Sequence, residues 1–514
     1  MPRRVPLLPV ALASVLVIVA TWWVDDRGDV GAGGGLVTSD DGASVPGDEG
    51  TTTTTLSPFD GWSDPRLAGQ PYPGATVDGL LTFRGNPTRS WYGTGPVPRT
   101  PEIAFRYPGT GGLCRESTNL GETKVWCGLG WTGQPAVFER DGRTWAVFGA
   151  YDGGVHFVDA DTGERIIPSL PTGDLIKGSV TVDPDGYPFV YTGSRDDRYR
   201  IVSFEGDEPV ELWSMHAEDF SPVLWNDDWD SSGVVIDDHL FVGGENSQFV
   251  IVRLNRGRSP DGRATVEPEV VFNAPGWDQE LLDALGDETV SIEVSPTVVG
   301  DTVYFTNSGG LVQGWDVSGL AEGDTPTRTF RFWMGDDTDA SIVADAEGML
   351  YVAAEYERTA TAARADAVGQ LVKLDPSGDD PVVWSWSDDG GRPGGIWGTP
   401  AVADGVVYVA TNGGRVLGIS AATGRELWAK RLPGPLWGSP VVVDDVLLIG
   451  DCDGAFHAFD VRPEGAEPVE RWSVDLGGCI EATPALWGGR VLVGSRDGAL
   501  YSIVDGGPSG QGSG

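Results

Sequence analysis

Along most of the chain, apolar residues fall in short runs that Gly, Asn and Asp break apart, which is the rhythm of strands and tight turns. The clearest instance is residues 397–434, WGTPAVADGVVYVATNGGRVLGISAATGRELWAKRLPG. It divides into TPAV, VVYVAT, RVLGIS and RELWAKRL, cut at Asp404-Gly405, Asn412-Gly413-Gly414 and Thr423-Gly424. Gly and Asn accept the positive φ that hairpin turns demand, so the pattern predicts a four-stranded antiparallel meander. A lone meander has two apolar faces and two unpaired edges. It is stable only when neighbours stack on it, so the sequence should repeat.

Copies of the unit, aligned on the residue equivalent to Pro400 in the innermost strand, are anchored at Pro135, Val180, Gly233, Pro296, Ser341, Pro400, Pro440 and Pro484. The eight units lie on average about 50 residues apart, the period of a propeller blade. The last unit ends after ALYSIV, residues 499–504, without a fourth strand. IAFRYPG, residues 103–109, matches the outer strands WAKRLPG and RWSVDLGG, and pairing it into the last blade closes the ring and removes both edges. The expected fold is therefore all-β, an eight-bladed β-propeller of four-stranded antiparallel blades over residues 101–504, closed by an N-terminal strand.

Upstream, Arg3 and Arg4 precede the apolar run VPLLPVALASVLVIVATWWV, residues 5–24, long enough to cross a bilayer as one helix. Ile18-Val19-Ala20 offers one small residue where a cleavage site wants two, so residues 1–26 are expected to be a cytoplasmic stub and an uncleaved signal anchor. The arginines then stay inside, and the body beyond Asp25-Asp26 lies outside the cytoplasm. No cysteine stands near this run to carry a lipid. Residues 27–57 hold too few apolar side chains to offset the entropy of ordering and are expected to be a disordered linker. Residues 58–100 form a lead-in segment, and 505–514 a flexible tail.

Composition agrees with a turn-rich β protein, with 75 Gly, 36 Pro and 20 Trp. The formal charge of -41 excludes a nucleic-acid backbone binder, which needs a basic footprint, and leaves cations, basic partners or plain solubility. Lysine occurs only at 124, 177, 373 and 430, an Arg-over-Lys skew that points to a GC-rich bacterial genome. The four cysteines fit an oxidising compartment. Cys114 with Cys127 and Cys452 with Cys479 is the most local of the three possible connectivities. His156 and His457 hold matching third-strand positions, which is a packing pattern.

The motif that runs from W-G-[ST]-P to T-G-x-x-x-W, nearly whole from Trp397 to Trp428, resembles the repeat of pyrroloquinoline quinone (PQQ) enzymes and of BamB-type outer-membrane assembly propellers. TFRGNPTRSWYGTGPVP, residues 82–98, is similar to the lead-in of bacterial propellers of this group. The resemblance implies the propeller fold and, in its quinone enzymes, a calcium ion and cofactor in a central funnel. Those enzymes commonly carry a disulfide between adjacent cysteines, and no two cysteines are adjacent here. Asp161-Thr-Gly163 keeps the turn but has Ile167 where the Trp would fall.

Loop insertions gather on the face that carries the blade crossings and the second-to-third-strand turns: the crossings at residues 225–230, the amphipathic stretch 275–286 and residues 335–339, and the polar loop 356–369 that interrupts the fifth blade. The residue three before each anchor falls at the channel mouth: Thr132, Lys177, Asp230, Glu293, Thr338, Trp397, Trp437 and Glu481. Of these, Lys177, Asp230, Glu293, Trp397, Trp437 and Glu481 are the candidate ligand-binding residues, able to hold a cation or polar ligand between aromatic walls. No nucleophile elbow, phosphate loop or metalloprotease helix is present. The expected function is a membrane-anchored, extracytoplasmic binding or scaffolding module of the bacterial envelope, with a protein, peptide or glycan partner and no cofactor. The alternatives are a PQQ- and calcium-dependent oxidoreductase using Asp230, Glu293, Glu481 and Lys177, and an assembly factor of the BamB type.

Overall fold

The computed structural model describes residues 57–507 apart from 120, 132 and 463–465. The expected anchor, nearly all of the linker, Thr132 and most of the tail lie outside the described residues. Among those described, no helix is long and apolar enough to cross a membrane.

Eight antiparallel sheets form the blades, each with a four-stranded core. Their innermost strands are Ala136–Arg140, Thr181–Val182, Val234–Ile236, Thr297–Val299, Val343–Ala344, Ala401–Ala403, Val441–Val443 and Ala485–Trp487. The most regular unit folds as its turns predict, with strands Ala401–Ala403, Val406–Ala410, Arg415–Ser420 and Glu426–Arg431. In the eighth sheet Pro101–Tyr107 takes the outer place, pairing Ile103 with Ile503 and Tyr107 with Leu500, so the ring closes through an N-terminal strand. The amphipathic stretch yields helix Gln279–Leu285, capped by the Asp278 carboxylate on Leu281 N (3.0 Å) and ended by Gly286 at φ 74°. The polar loop of the fifth blade is not wholly irregular, because Ala362–Val368 is helical within it.

Neighbouring blades dock through the Thr-Gly turns. Gly424 lies flat on the Trp384 indole of the preceding blade, where a Cβ would come within 2.8 Å of the ring, and Trp384 Nε1 donates to Ala421 O at 2.9 Å. At the closure Gly163 of the first blade rests in the same way on Phe105 of the N-terminal strand. His156 and His457 are buried in side-chain hydrogen bonds, His156 with Tyr107, Ser169 and Asp152, and His457 with Glu470 and Asp451.

The lead-in enters the centre of the ring. Residues 79–92 are all buried. Their carbonyls accept from the inner edges of three blades, Val182 N to Leu81 O, Val298 N to Pro87 O and Ala344 N to Thr88 O, at 2.8, 2.9 and 3.0 Å. Gly79–Leu80 adds a further strand inside the first blade. Arg84 donates to Pro400 O and Pro440 O, and Arg89 donates to Pro296 O and Ser232 O at 2.9 Å each. These carbonyls belong to the anchors, or stand next to one, so two guanidinium groups from one short segment join four blades at the ring's centre.

A belt of hydroxyls encircles this plug. Gln134, Ser232, Ser295, Ser341 and Thr399 each donate a backbone N–H to the hydroxyl of the next blade, on Ser179, Ser295, Ser341, Thr399 and Ser439, at 2.8–3.0 Å. Belt residues precede their anchors by one, with one exception. Ser341 is itself in the belt, so the fifth anchor is Ile342 and the channel-mouth residue of that blade is Asp339. Thr338, expected at the mouth, is instead buried, with its hydroxyl on Asn307 O at 2.7 Å. The absence of a proline in the fifth unit left its register open to this slip of one residue.

Replacing Arg89 by Met keeps the bulk but orphans buried carbonyls of two blades. Each such group costs about 1–3 kcal/mol, so Arg89→Met is expected to lower stability by about 3 kcal/mol or more, read as a lower urea midpoint. Arg99→Met on the surface is expected to leave it unchanged; equal midpoints for both variants would show that the plug does not hold the ring.

Candidate functional site

On the face that carries the blade crossings, the channel opens into a cavity of about 350 Å³. Trp397 and Trp437 form one wall, stacked with ring centroids 5.1 Å apart and planes 20° from parallel. Trp437 Nε1 donates to Asn412 Oδ1 at 2.8 Å, while Trp397 Nε1 is shielded from solvent without a partner among the described residues.

Trp126 comes to the cavity from a hairpin, Cys114–Asn119 with Glu122–Cys127, inserted between the closing strand and the first blade. Cys114 and Cys127 face each other across the hairpin and are bonded, as are Cys452 and Cys479. The Trp126 ring meets Tyr151 edge-on at 5.5 Å and is flanked by the guanidinium groups of Arg195 (5.3 Å) and Arg496 (5.0 Å).

The cations of the cavity are already paired. Lys177 Nζ sits among Asp230, Glu245 (2.8 Å) and Asp228 (3.8 Å). Burial pushes the Lys177 ammonium down, but Asp230, Glu245, Glu293 and Asp228 together raise it well above its ordinary value. Arg195 holds Asp228 at 2.7 Å, and Arg496 holds Glu481 at 2.8 Å, where Tyr151 also donates at 3.0 Å. Asp228, Asp230 and Glu245 are close enough together to hold a metal ion, but the lysine ammonium occupies their common centre.

The fifth blade, next in the ring to that of Trp397, lines the cavity with acidic groups. Asp337 and Asp339 come from the crossing into the fifth blade, and Glu355 and Glu357 from its interrupted second-to-third-strand connection. The two segments are knitted by backbone: Glu355 N donates to Asp337 O at 2.7 Å, and the Asp336 carboxylate accepts Glu357 N (3.1 Å) and Arg358 N (2.9 Å). Among the described residues, none of Glu293, Asp337, Asp339, Glu355 and Glu357 lies in an ion pair, whereas Asp336 pairs with Arg392 at 3.2 Å. Burial pushes Asp337 up to about 7, with Glu293 adding to it and Arg358 opposing. Burial likewise raises Glu293, Asp339 and Glu355 well above the carboxylate range, and their mutual repulsion adds to the effect.

Of the residues predicted to bind ligand, Lys177, Trp397, Trp437 and Glu481 stand on the cavity wall. Asp230 lies behind Lys177 as its partner, and Glu293 lies behind Asp339, with the Ser308 hydroxyl between them at 3.5 and 3.4 Å. Sequence reasoning missed Asp337, Asp339, Glu355, Trp126 and Tyr151. A unit-by-unit match of D-A-S-I at 339–342 to W-G-T-P at 397–400 would have found Asp339. Asp337 and Trp126 sit on insertions, which carry no repeat signal, and Tyr151 and Glu355 sit in second-to-third-strand connections that the offset from the anchor does not reach.

Residues 367–467 match the family model described as outer membrane protein assembly factor BamB. No curated protein matches the chain. Quinohemoprotein alcohol dehydrogenase from Comamonas testosteroni is similar in structure over 84% of this chain and 81% of its own, at 13% identity and a TM-score of 0.53. At 13% identity each, the computationally designed Ika8 protein aligns over 73% of this chain and 99% of its own (TM-score 0.46), and BamB from Moraxella catarrhalis over 86% and 97% (0.39). The chain is an eight-bladed β-propeller, and residues 367–467 carry a repeat similar to that of the BamB family.

The raised carboxylates set a pH dependence. A native carboxyl that titrates above its unfolded value of about 4 takes up a proton on folding, so its stabilising contribution is full below that value. It is lost as pH rises through the native value, about 7 for Asp337. The groups facing this cluster are Lys177, Arg358, Asp336 and Glu245. The melting temperature of the full chain is expected to fall from about pH 5 to about pH 8, and Asp337→Asn with Glu355→Gln to flatten that slope; parallel slopes would remove the cluster as its origin.

Proposed function

We propose that the chain is a membrane-anchored, extracytoplasmic binding module of the bacterial envelope, whose propeller presents a partly roofed funnel on its loop-bearing face. The observation that carries this reading is a formed cavity of about 350 Å³, which combines aromatic walls with the carboxyl groups of Asp337, Asp339, Glu355 and Glu357, none of them in an ion pair among the described residues. Such a pocket, with a few convergent polar groups, is the usual setting of small-ligand recognition. The acidic outer strands and loops around it suit a basic or polar partner surface better than an anionic one.

An oxidoreductase reading would need PQQ, a flat tricarboxylate, and calcium. The donor set does not fit them: Lys177, Arg195 and Arg496, the cations at the cavity, are bound to Asp230, Asp228 and Glu481, and the remaining charged groups of the wall would repel carboxylates. Trp397 and Trp437 stack on each other and leave no slot between them for a planar ring. The one close carboxylate trio has a lysine ammonium where calcium would sit.

Titrating the purified full chain with PQQ and calcium is expected to leave its melting temperature unchanged, since a ligand of the native state raises it by mass action. A rise that Glu293→Ala abolishes would overturn the binding-module reading. For the topology, alkaline phosphatase, which needs an oxidising compartment for its disulfides, is expected to be active when fused after Phe59. Inactivity of that fusion, with activity of a cytoplasmic reporter at the same point, would reverse the orientation.

A further inference from the structure

We infer that the funnel binds a small organic ammonium ion, a primary or methylated amine on a short chain, with Trp397 and Trp437 receiving its apolar body and Asp337, Asp339 and Glu355 its charge. The inference rests on the reading of the funnel as a ligand site and names the class of ligand.

Charge decides the sign of the ligand. Every cation at the cavity is held by a carboxylate at ion-pair distance, while Asp337, Asp339, Glu355 and Glu357 have no cationic partner among the described residues. Buried like charges this close raise one another's free energy, and an entering cation relieves that repulsion. Glu357 is exposed at the opening, where its charge draws cations inward.

The aromatic groups decide that the ligand is organic. A hydrated inorganic ion gains nothing from a stacked indole pair, whereas an ammonium with apolar substituents gains both dispersion and cation–π attraction from such faces. The faces of Trp126 are already next to Arg195 and Arg496, so the stacked pair, with Trp131, is the indole surface left for a ligand. A second observation comes from the two polar atoms shielded from solvent yet without a hydrogen-bond partner among the described residues, Trp397 Nε1 and Asp337 Oδ1. Asp337 Oδ1 offers an acceptor to an ammonium N–H, and Trp397 Nε1 a donor to a hydroxyl or carbonyl on the same ligand. The volume, about 350 Å³, suits a molecule of choline or putrescine size.

The test is titration of the full chain with choline and with putrescine at about pH 8, followed by intrinsic tryptophan fluorescence, against 3,3-dimethylbutanol, the uncharged carbon analogue of choline. Saturable binding of at least one ammonium probe is expected, with the alcohol weaker by ~10-fold or more. Asp339→Asn with Glu355→Gln is expected to weaken the ammonium probe by a similar ~10-fold factor while its melting transition stays cooperative. Trp437→Phe, which keeps a ring at the wall, is a milder variant expected to weaken both probes if the double variant does not fold. Equal binding of the alcohol and choline, or undiminished binding by the charge-neutral variant, would overturn the ammonium assignment. If neither amine binds but a neutral sugar or a peptide does, and Trp437→Ala removes that binding, the ligand class is wrong and the funnel remains a site. A melting shift with PQQ and calcium instead would overturn both.

Discussion

A closed ring of blades leaves the inner edge of every innermost strand facing a central channel, with backbone groups that require partners. Here residues 79–92 supply them, and the hardest part of that task falls to Arg84 and Arg89. Both are fully buried, and among the described residues neither meets a carboxylate; burial pulls both guanidinium groups down from their ordinary value. Both also hold a left-handed backbone, φ 57° and 58°, which costs about 1–2 kcal/mol per residue away from glycine. Such a conformation persists only where the surroundings over-determine it. The surroundings do so here, because carbonyls at the heads of four inner strands converge on the two forks. Only arginine offers planar, multiple donors at a fixed spread, and a lysine ammonium could not reach two blades in this way.

Filling one end of the channel with protein gives the other end its character. The plug and the hydroxyl belt fix the anchors, and the anchors fix what stands three residues above them, so the positions of Trp397, Trp437, Asp339 and Glu481 are rigid consequences of the closed base. Charge is then buried in different ways at successive levels. At the base, cations rest on carbonyls; at the mouth, Lys177 rests among three carboxylates. At the acidic wall, carboxylates face one another, and protonation is what relieves them. Among the described residues the wall has no cation to rest on, so it takes up protons that a cationic ligand would displace, while the other levels satisfy their charge within the chain.

The propeller, its blade number and its closing strand were legible because they are properties of spacing. Turn residues mark each hairpin, and a missing fourth strand at residue 504 asks for a partner that residues 101–107 can provide. The plug was not legible for a physical reason: the partners of Arg84 and Arg89 are backbone carbonyls, which every residue has and no sequence announces. The register of the fifth unit was misread because proline marks the anchor in five other units and is replaced there by Ile342, leaving Ser341 as the nearest small residue. Lys177, Trp397, Trp437 and Glu481 were reachable because they sit at a fixed offset in the repeat. Glu355 and Trp126 were not, since Trp126 belongs to an inserted hairpin closed by its own disulfide and Glu355 to a connection that pairs with Gly395.

That division separates what the repeat supplies from what the loops add. The stacked indoles come from repeat positions, Trp397 and Trp437, in adjacent copies of W-G-[ST]-P. The charge beside them comes from the fifth blade: Asp339 holds the repeat position equivalent to Trp397, while Asp337 and Glu355, joined by Glu355 N on Asp337 O, come from the crossing and from the interrupted connection. Trp126 is likewise brought by an inserted hairpin. In this propeller the repeat therefore supplies the aromatic wall, and loops joined to the rigid ring add much of the charge of the cavity. Inference from fold to cofactor fails at this step: the blades dictate where a funnel lies, and the insertions dictate what can be attracted into it.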